Sequence, residues 1–284
     1  MKKVVILFVI VISVLLFLNP GSNADVYSYK YFDGFLDAIP VDFYVKPLIQ
    51  SKDTISNNEA VPILMFHNVG PWSDNSSNLS KSLTIQPKLF GEMIDYLYKN
   101  NFTPITLKEL DDIWKGNTPM PQKPIVLTFD DGDQGVFQYA YPLLKEHHFH
   151  FVLFLITRYI NRNTHFYMKR SEILEMLNSG LCEVGSHTRD HVNLGKRSKA
   201  IILYEVGSST SDIKKYLSYT PTSFCYPFGG YSYTAIQVLK KFGYNMATTE
   251  IPGVANKDSN HLILRRIRID GRDPFITFVY KVGG

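Results

Sequence analysis

Two short stretches of this 284-residue chain concentrate residues that can do chemistry. Residues 125–132 read Ile-Val-Leu-Thr-Phe-Asp-Asp-Gly, an apolar strand that ends in two adjacent acids, Asp130 and Asp131, and a glycine. Such a strand delivers paired carboxylates to a barrel rim or sheet edge, where one can hold a metal while the other moves a proton. Further on, the apolar run from Leu181 to Gly185 ends in Ser186-His187-Thr188-Arg189-Asp190-His191, which places two imidazoles four residues apart just past a strand. One Asp with two His suits a divalent metal such as zinc. Three protein ligands leave coordination positions open, as a catalytic zinc site requires. A calcium loop is the other reading of residues 130–133, but no glutamate stands at its twelfth position. A solvated turn is the other reading of His187 and His191, and the nearby acid pair argues against it.

The elements that position these groups follow from apolar spacing. Ile63-Leu64-Met65-Phe66 suits a buried strand and ends in His67. Phe90, Met93, Ile94, Leu97 and Tyr98 recur at helical spacing, so 87–99 is expected to be an amphipathic helix. A short strand over 102–106 and a helix over 107–114 lead to the Asp130 strand, with the polar stretch 73–82 expected to be a loop. Helices are expected over 134–147, 170–178, 198–218 and 231–242, and strands over 151–156, 181–185, 222–226, 244–248 and 262–269. Strands alternating with helices argue for a parallel α/β architecture. Site residues at strand C-terminal ends favour a barrel, although spacing alone also permits an open doubly wound sheet. Arg265, Arg266 and Arg268 cluster on the last strand, where alternation sends Arg266 and Arg268 to one face.

Composition is that of a globular domain, 45% hydrophobic and 20% charged, large enough for a sizeable core. Lys2 and Lys3 precede an uncharged apolar run from Val4 to Leu18 and the small-residue segment Ser22-Asn23-Ala24. This is the pattern of a secretory signal cleaved after Ala24, with an uncleaved membrane anchor as the alternative. Residues 25–60 are expected to be a spacer and 61–284 the catalytic domain. The net charge, +4 overall and +2 without Lys2 and Lys3, implies no nucleic-acid partner. Cys182 and Cys225 are expected to be buried thiols on neighbouring strands.

Thr128 to Gly132, His187 to His191 and Pro227-Phe228-Gly229 occur in an order and spacing that resembles the polysaccharide deacetylases of carbohydrate esterase family four. Those proteins carry a T-F-D-D-G motif, then H-S/T-x-x-H, then a P-Y/F-G turn, and the resemblance covers roughly residues 61–270. It implies a distorted (β/α) barrel of about seven parallel strands. It also implies that Asp130 is the catalytic base, that Asp131, His187 and His191 are metal ligands, and that the Phe228 backbone N–H serves the oxyanion hole. The family has an Arg two residues before the proline of the third motif, where this chain has Cys225, and Arg266 is the candidate substitute for orienting the base. The family's C-terminal general-acid His is also missing. The matching pattern of apolar strand and then His occurs at Ile63 to His67, an order similar to a subgroup that includes the poly-N-acetylglucosamine deacetylases of biofilm matrices, and it assigns His67 as the proton donor. The family's Asp-x-x-Asp-Trp motif is replaced by residues 246–250, Met-Ala-Thr-Thr-Glu.

The resemblance implies a metal-dependent hydrolase, zinc being the first choice of ion, that removes N-acetyl groups from N-acetylglucosamine units of a cell-surface or wall polysaccharide. Candidate polymers, in order, are β-1,6-linked poly-N-acetylglucosamine, peptidoglycan strands and chitin-like oligomers. An O-acetyl esterase and a non-catalytic polysaccharide-binding protein are the alternatives. Trp72, Tyr231 and Tyr233 are candidates for stacking on sugar rings. The expected location is secreted or cell-surface, at the wall or the outer face of the membrane, with a tether if the N-terminal segment stays uncleaved. The oligomeric state is left open.

Overall fold

The computed structural model describes residues 59–283 except Asn163. The expected signal or anchor and nearly all of the expected spacer lie outside the described residues.

Seven parallel strands form a closed ring. They are β1 (Ile63–Phe66), β2 (Pro124–Phe129), β3 (Phe151–Leu155), β4 (Cys182–Ser186), β5 (Ser223–Cys225), β6 (Met246–Pro252) and β7 (Leu264–Arg268). Each pairs with its neighbour in chain order, and β7 pairs with β1 to close the barrel. The short strand Thr103–Pro104 adds to the start of β2. Closure leaves β1, β2 and β3 covered on both faces, which is why they read as nearly continuous apolar runs. All five residues of β3 are buried, for example.

Alternation along the strands divides two cores. Ile125, Leu127 and Phe129 of β2 join Phe66, Leu153 and Val184 in the outer cluster that faces the helices. Val126 lies in the inner cluster with Ile63, Val152, Phe154, Cys225, Met246 and Leu264. The same alternation turns Thr128 and Asp130 into the lumen, so the barrel interior changes from apolar to polar toward the C-terminal ends of its strands.

Helices cover the ring. Helix α1 is Asn78–Leu83 and α2 is Pro87–Lys99, with proline in its first turn. The apolar stripe of α2 buries Phe90, Met93, Ile94 and Leu97. Phe90 meets the outer face of the barrel, its ring 5.8 Å from Phe66 and 6.0 Å from Phe129. Helix α3 (Leu107–Trp114) starts with a capping box between Thr106 and Glu109. The others are α4 (Tyr141–Glu146), α5 (Arg170–Asn178), α6 (Lys199–Leu217), α7 (Tyr233–Lys241) and α8 (Phe275–Lys281).

Three differences from the sequence-based expectations have local causes. The stretch 73–82, expected to be a loop, contains most of α1. That helix is begun by the Ser77 side chain accepting from the Ser80 amide, and it buries only Ser82, so no apolar period marks it. Residues 134–147 form not one helix but a wide π turn over Val136–Ala140 followed by α4. Pro142 has no N–H to continue the ladder, and the chain widens just before it, with the Tyr141 amide bonded back to Val136. Helix α8, unanticipated, packs against α2 through Tyr96, Phe275 and Phe278.

Because Phe90 joins α2 to both Phe66 and Phe129, Phe90→Ala is expected to lower stability by about 3–5 kcal/mol through the cavity it leaves. Urea unfolding followed by circular dichroism measures the loss.

Candidate active site

The two motif-bearing turns meet at the C-terminal rim. Asp130 continues β2, its amide donating to the Phe66 carbonyl at 3.0 Å. The chain then leaves the strand sharply, with φ of 71° at Asp131 and 87° at Gly132. Glycine takes the second position without strain, whereas a Cβ there would stand 2.9 Å from Leu155 Cδ2 at a φ that other residues rarely adopt. Opposite, the His187 amide donates to the Leu155 carbonyl at 2.9 Å as β4 ends. Thr188 and His191 take φ of 62° and 59°, which curls the turn and brings the second imidazole back over the barrel.

Asp131, His187 and His191 converge. Asp131 Oδ1 is 3.4 Å from His187 Nε2 and 3.3 Å from His191 Nε2. Donor atoms about 2.0–2.2 Å from a tetrahedral ion stand about 3.3–3.6 Å apart, so these spacings suit a shared ion. Asp131 Oδ1 is also buried without a hydrogen-bond partner among the described residues. The His187 Nδ1 lies 2.9 Å from the Cys225 carbonyl, which can only accept, so Nδ1 carries a proton and Nε2 is the nitrogen left to face Asp131 and His191. Burial, and then the neighbouring His187 charge, push His191 down to about 4, so its imidazole is neutral near pH 7, as a metal ligand must be. Burial raises the Asp131 carboxyl, but the three nearby imidazoles more than offset it and hold the group below its ordinary value.

A second cluster, Asp130, His187 and Cys225, also brings donor atoms together. A cation of this chain already lies against it. Arg266 grips Asp130 with two hydrogen bonds, Nη1 to Oδ1 at 2.8 Å and Nη2 to Oδ2 at 2.7 Å. Its other contacts are Nε to the Thr249 carbonyl at 2.9 Å, Nη1 to Thr128 Oγ1 at 3.0 Å and Nη2 to Cys225 Sγ at 3.1 Å. Both charged residues are 1% exposed. Burial pushes the Asp130 carboxyl up and the Arg266 guanidinium more than reverses this, leaving it well below the usual carboxylate range. Stability from this depressed pKa is therefore present above the unfolded-state value and is lost as pH falls through the folded one.

His67 follows β1, and since Phe66 pairs with Phe129 it lies beside Asp130 at the rim. Burial lowers its pKa, and the Asp130 and Asp131 charges pull it partly back. Phe228 sits in a left-handed turn at φ 57°, its ring 61% exposed and 4.7 Å from the His191 ring. The hydrogen bonds of that turn come from the Gly229 and Gly230 amides, and the Phe228 amide takes no part in them.

The structure thus brings Asp130, Asp131, His187, His191, His67, Phe228 and Arg266 to one rim. Arg268, on the same face as Arg266, reaches Ser82 at 3.0 Å. Cys182 and Cys225 are free, buried thiols on adjacent strands. Trp72 is anchored by donating to the Thr84 carbonyl at 2.9 Å, and Tyr231 packs on Tyr226, whereas Tyr233 is 78% exposed. Sequence reading did not find Thr128 as a support for Arg266 or the Cys225 carbonyl as the group that sets the His187 tautomer. Period-two alternation from Asp130 points to Thr128, but a backbone carbonyl leaves no side-chain signal.

Comparison with known proteins is consistent with this geometry. A family model described as polysaccharide deacetylase matches residues 117–247. Poly-beta-1,6-N-acetyl-D-glucosamine N-deacetylase of Staphylococcus epidermidis is 29% identical over 241 residues, covering 78% of this chain and 82% of the relative. Among solved structures, the deacetylase PplD of Streptococcus pyogenes superposes with a TM-score of 0.72 at 23% identity, covering 79% of this chain and 99% of that one. IcaB from Ammonifex degensii superposes with a TM-score of 0.68 at 26% identity, covering 79% and 98%.

Two outcomes are expected. Arg266→Gln leaves Asp130 buried and without its guanidinium, and lowers stability by about 3–5 kcal/mol in chemical denaturation. His191→Ala removes one of the three candidate ligands, so elemental analysis of the purified variant should show metal content well below that of the parent protein.

Proposed function

We propose that this chain is a polysaccharide deacetylase, a zinc-dependent enzyme that removes N-acetyl groups from β-1,6-linked poly-N-acetylglucosamine outside the cell. The activity of the staphylococcal relative motivates the polymer. The observation that carries the chemistry is the buried, unpartnered Asp131 Oδ1 facing two imidazole nitrogens, beside a second acid held by Arg266.

Asp131, His187 and His191 would hold the ion, which when bound acts as a Lewis acid and lowers the pKa of water to about 7. Asp130 accepts the proton of the attacking water. Its low pKa keeps it ionised at neutral pH, and the Arg266 fork fixes its orientation while each oxygen keeps a further lone pair. Water oxygen bonds to the amide carbon, and the Phe228 N–H donates to the carbonyl oxygen as it gains charge. His67 delivers a proton to the departing nitrogen, the C–N bond breaks, and acetate and a free amine result. Phe228 contributes its backbone, so the aromatic side chain is not required for this step. Its exposed ring and that of Tyr233 offer faces for the sugar.

The N-terminal segment is proposed to carry the domain of residues 61–284 to the cell surface, as a cleaved signal or as a tether. In this location the free amines produced would raise the positive charge of the polymer.

Acetate release by the zinc-supplied protein is the test, run on β-1,6-linked poly-N-acetylglucosamine, peptidoglycan fragments and chitin oligomers. Release that is highest on the first polymer and abolished by a chelator is expected. Metal-loaded protein that releases no acetate from any of the three would overturn the reading. Asp130→Asn should keep its metal and lose about 100- to 10,000-fold in kcat, the usual contribution of a positioned base.

A further inference from the structure

The turn that carries His191 is strained and cannot satisfy its own backbone. Thr188 and His191 both sit in the left-handed region, which non-glycine residues occupy only when the surroundings hold them there. Within the turn, the Thr188 amide finds Ser186 Oγ at 3.2 Å and the Val192 amide finds Thr188 Oγ1 at 3.2 Å. Of the three amides between them, those of Arg189 and Asp190 instead both donate to one oxygen from another element, Oε2 of Glu205, at 3.1 and 2.9 Å.

Glu205 belongs to a polar stripe on α6. Positions 205, 209 and 212 fall on one helical face, and each touches the turn or its support. Ser186 Oγ donates to Ser209 Oγ at 2.8 Å. Arg189 Nη1 reaches Asp212 Oδ2 at 3.2 Å, and Thr157 Oγ1 donates to the same oxygen at 3.0 Å. Of the stripe, only Glu205 holds the peptide immediately before His191, and it does so from a site 3% exposed. A buried acid on the core side of a helix calls for a partner, and its partner here is main chain.

We propose that Glu205 is a positioning residue for the metal site: by fixing the Arg189 and Asp190 amides it aims the His191 imidazole and so sets how tightly the ion is held. This rests on the ligand assignment of His191 made above. Glu205 touches neither ion nor substrate and acts only through the turn. A carboxylate accepting two successive amides gives a fixed direction that a solvated turn lacks.

Zinc affinity by chelator competition tests it, in the full chain and in Glu205→Gln, His191→Ala and Phe90→Ala, with the rise in Tm on adding zinc as a second readout. Glu205→Gln keeps shape and one acceptor, and is expected to weaken zinc binding about 10- to 100-fold, the usual effect of losing a group that orients a ligand. Phe90→Ala, destabilised far from the turn, should keep its zinc affinity. Unchanged affinity in Glu205→Gln with weak binding in His191→Ala would overturn the positioning role and leave the ligand assignment standing. Equal weakening in Glu205→Gln and Phe90→Ala would also overturn it, as a general effect of stability. Unchanged affinity in His191→Ala would remove the ligand assignment and the proposal together. If Glu205→Gln fails to fold, Glu205→Asp, which keeps the charge one methylene shorter, is judged by the same criteria.

Discussion

The buried pair of Asp130 and Arg266 constrains most of what surrounds it. A guanidinium in a barrel lumen is unfavourable unless every donor is met and its charge is balanced. Here Asp130 balances it, and Thr128, the Thr249 carbonyl and Cys225 Sγ take the remaining donors. Those partners come from β2, β5 and β6, while the arginine is on β7. The pair therefore ties four strands together at the level where the lumen turns from apolar to polar. It also explains why a small, weakly polar Cys225 suits its position, since Sγ lies 3.1 Å from Nη2 and 3.5 Å from Asp130 Oδ2.

The same pair separates the duties of two adjacent acids. Asp130 points into the lumen and is gripped by arginine, whereas Asp131, one residue on and at positive φ, points to the rim with an oxygen that has no hydrogen bond among the described residues. Neighbouring residues on a strand face opposite ways, but the left-handed turn at Asp131 brings both carboxylates to the same end of the barrel without placing them in one environment. Electrostatics then act differently on each. Asp130 is held ionised by a full positive charge, Asp131 by the imidazoles with which it would share an ion.

Rigid strands and strained turns share the work at the rim. The strands end where their hydrogen bonds can still hold the first residue of each turn, as in the Asp130 and His187 amides. Beyond that point, left-handed residues at 131, 132, 188, 191 and 228 redirect the chain within one or two residues. Such conformations persist because buried partners from other elements, the α6 stripe among them, outweigh their local cost.

Much of this was legible in the chain itself, because it depends on local order. Period-two and period-3.6 apolar spacing outlined the strands and helices, including α2, α3 and α5 at the expected bounds. The types and spacing of Asp130, Asp131, His187 and His191 point to a candidate metal site from the sequence alone. Short helix α1 and the π turn before Pro142 were hidden because a side-chain cap and a missing N–H, not an apolar period, decide them. What only the tertiary structure decided was which distant groups meet. Arg266 is 136 residues from Asp130 in the chain, and Glu205 is 15 from the Asp190 amide across a turn and a helix. Such contacts follow from closure of the ring, the stagger between its strands and the rotation of α6 on its surface, and no local preference encodes those three quantities.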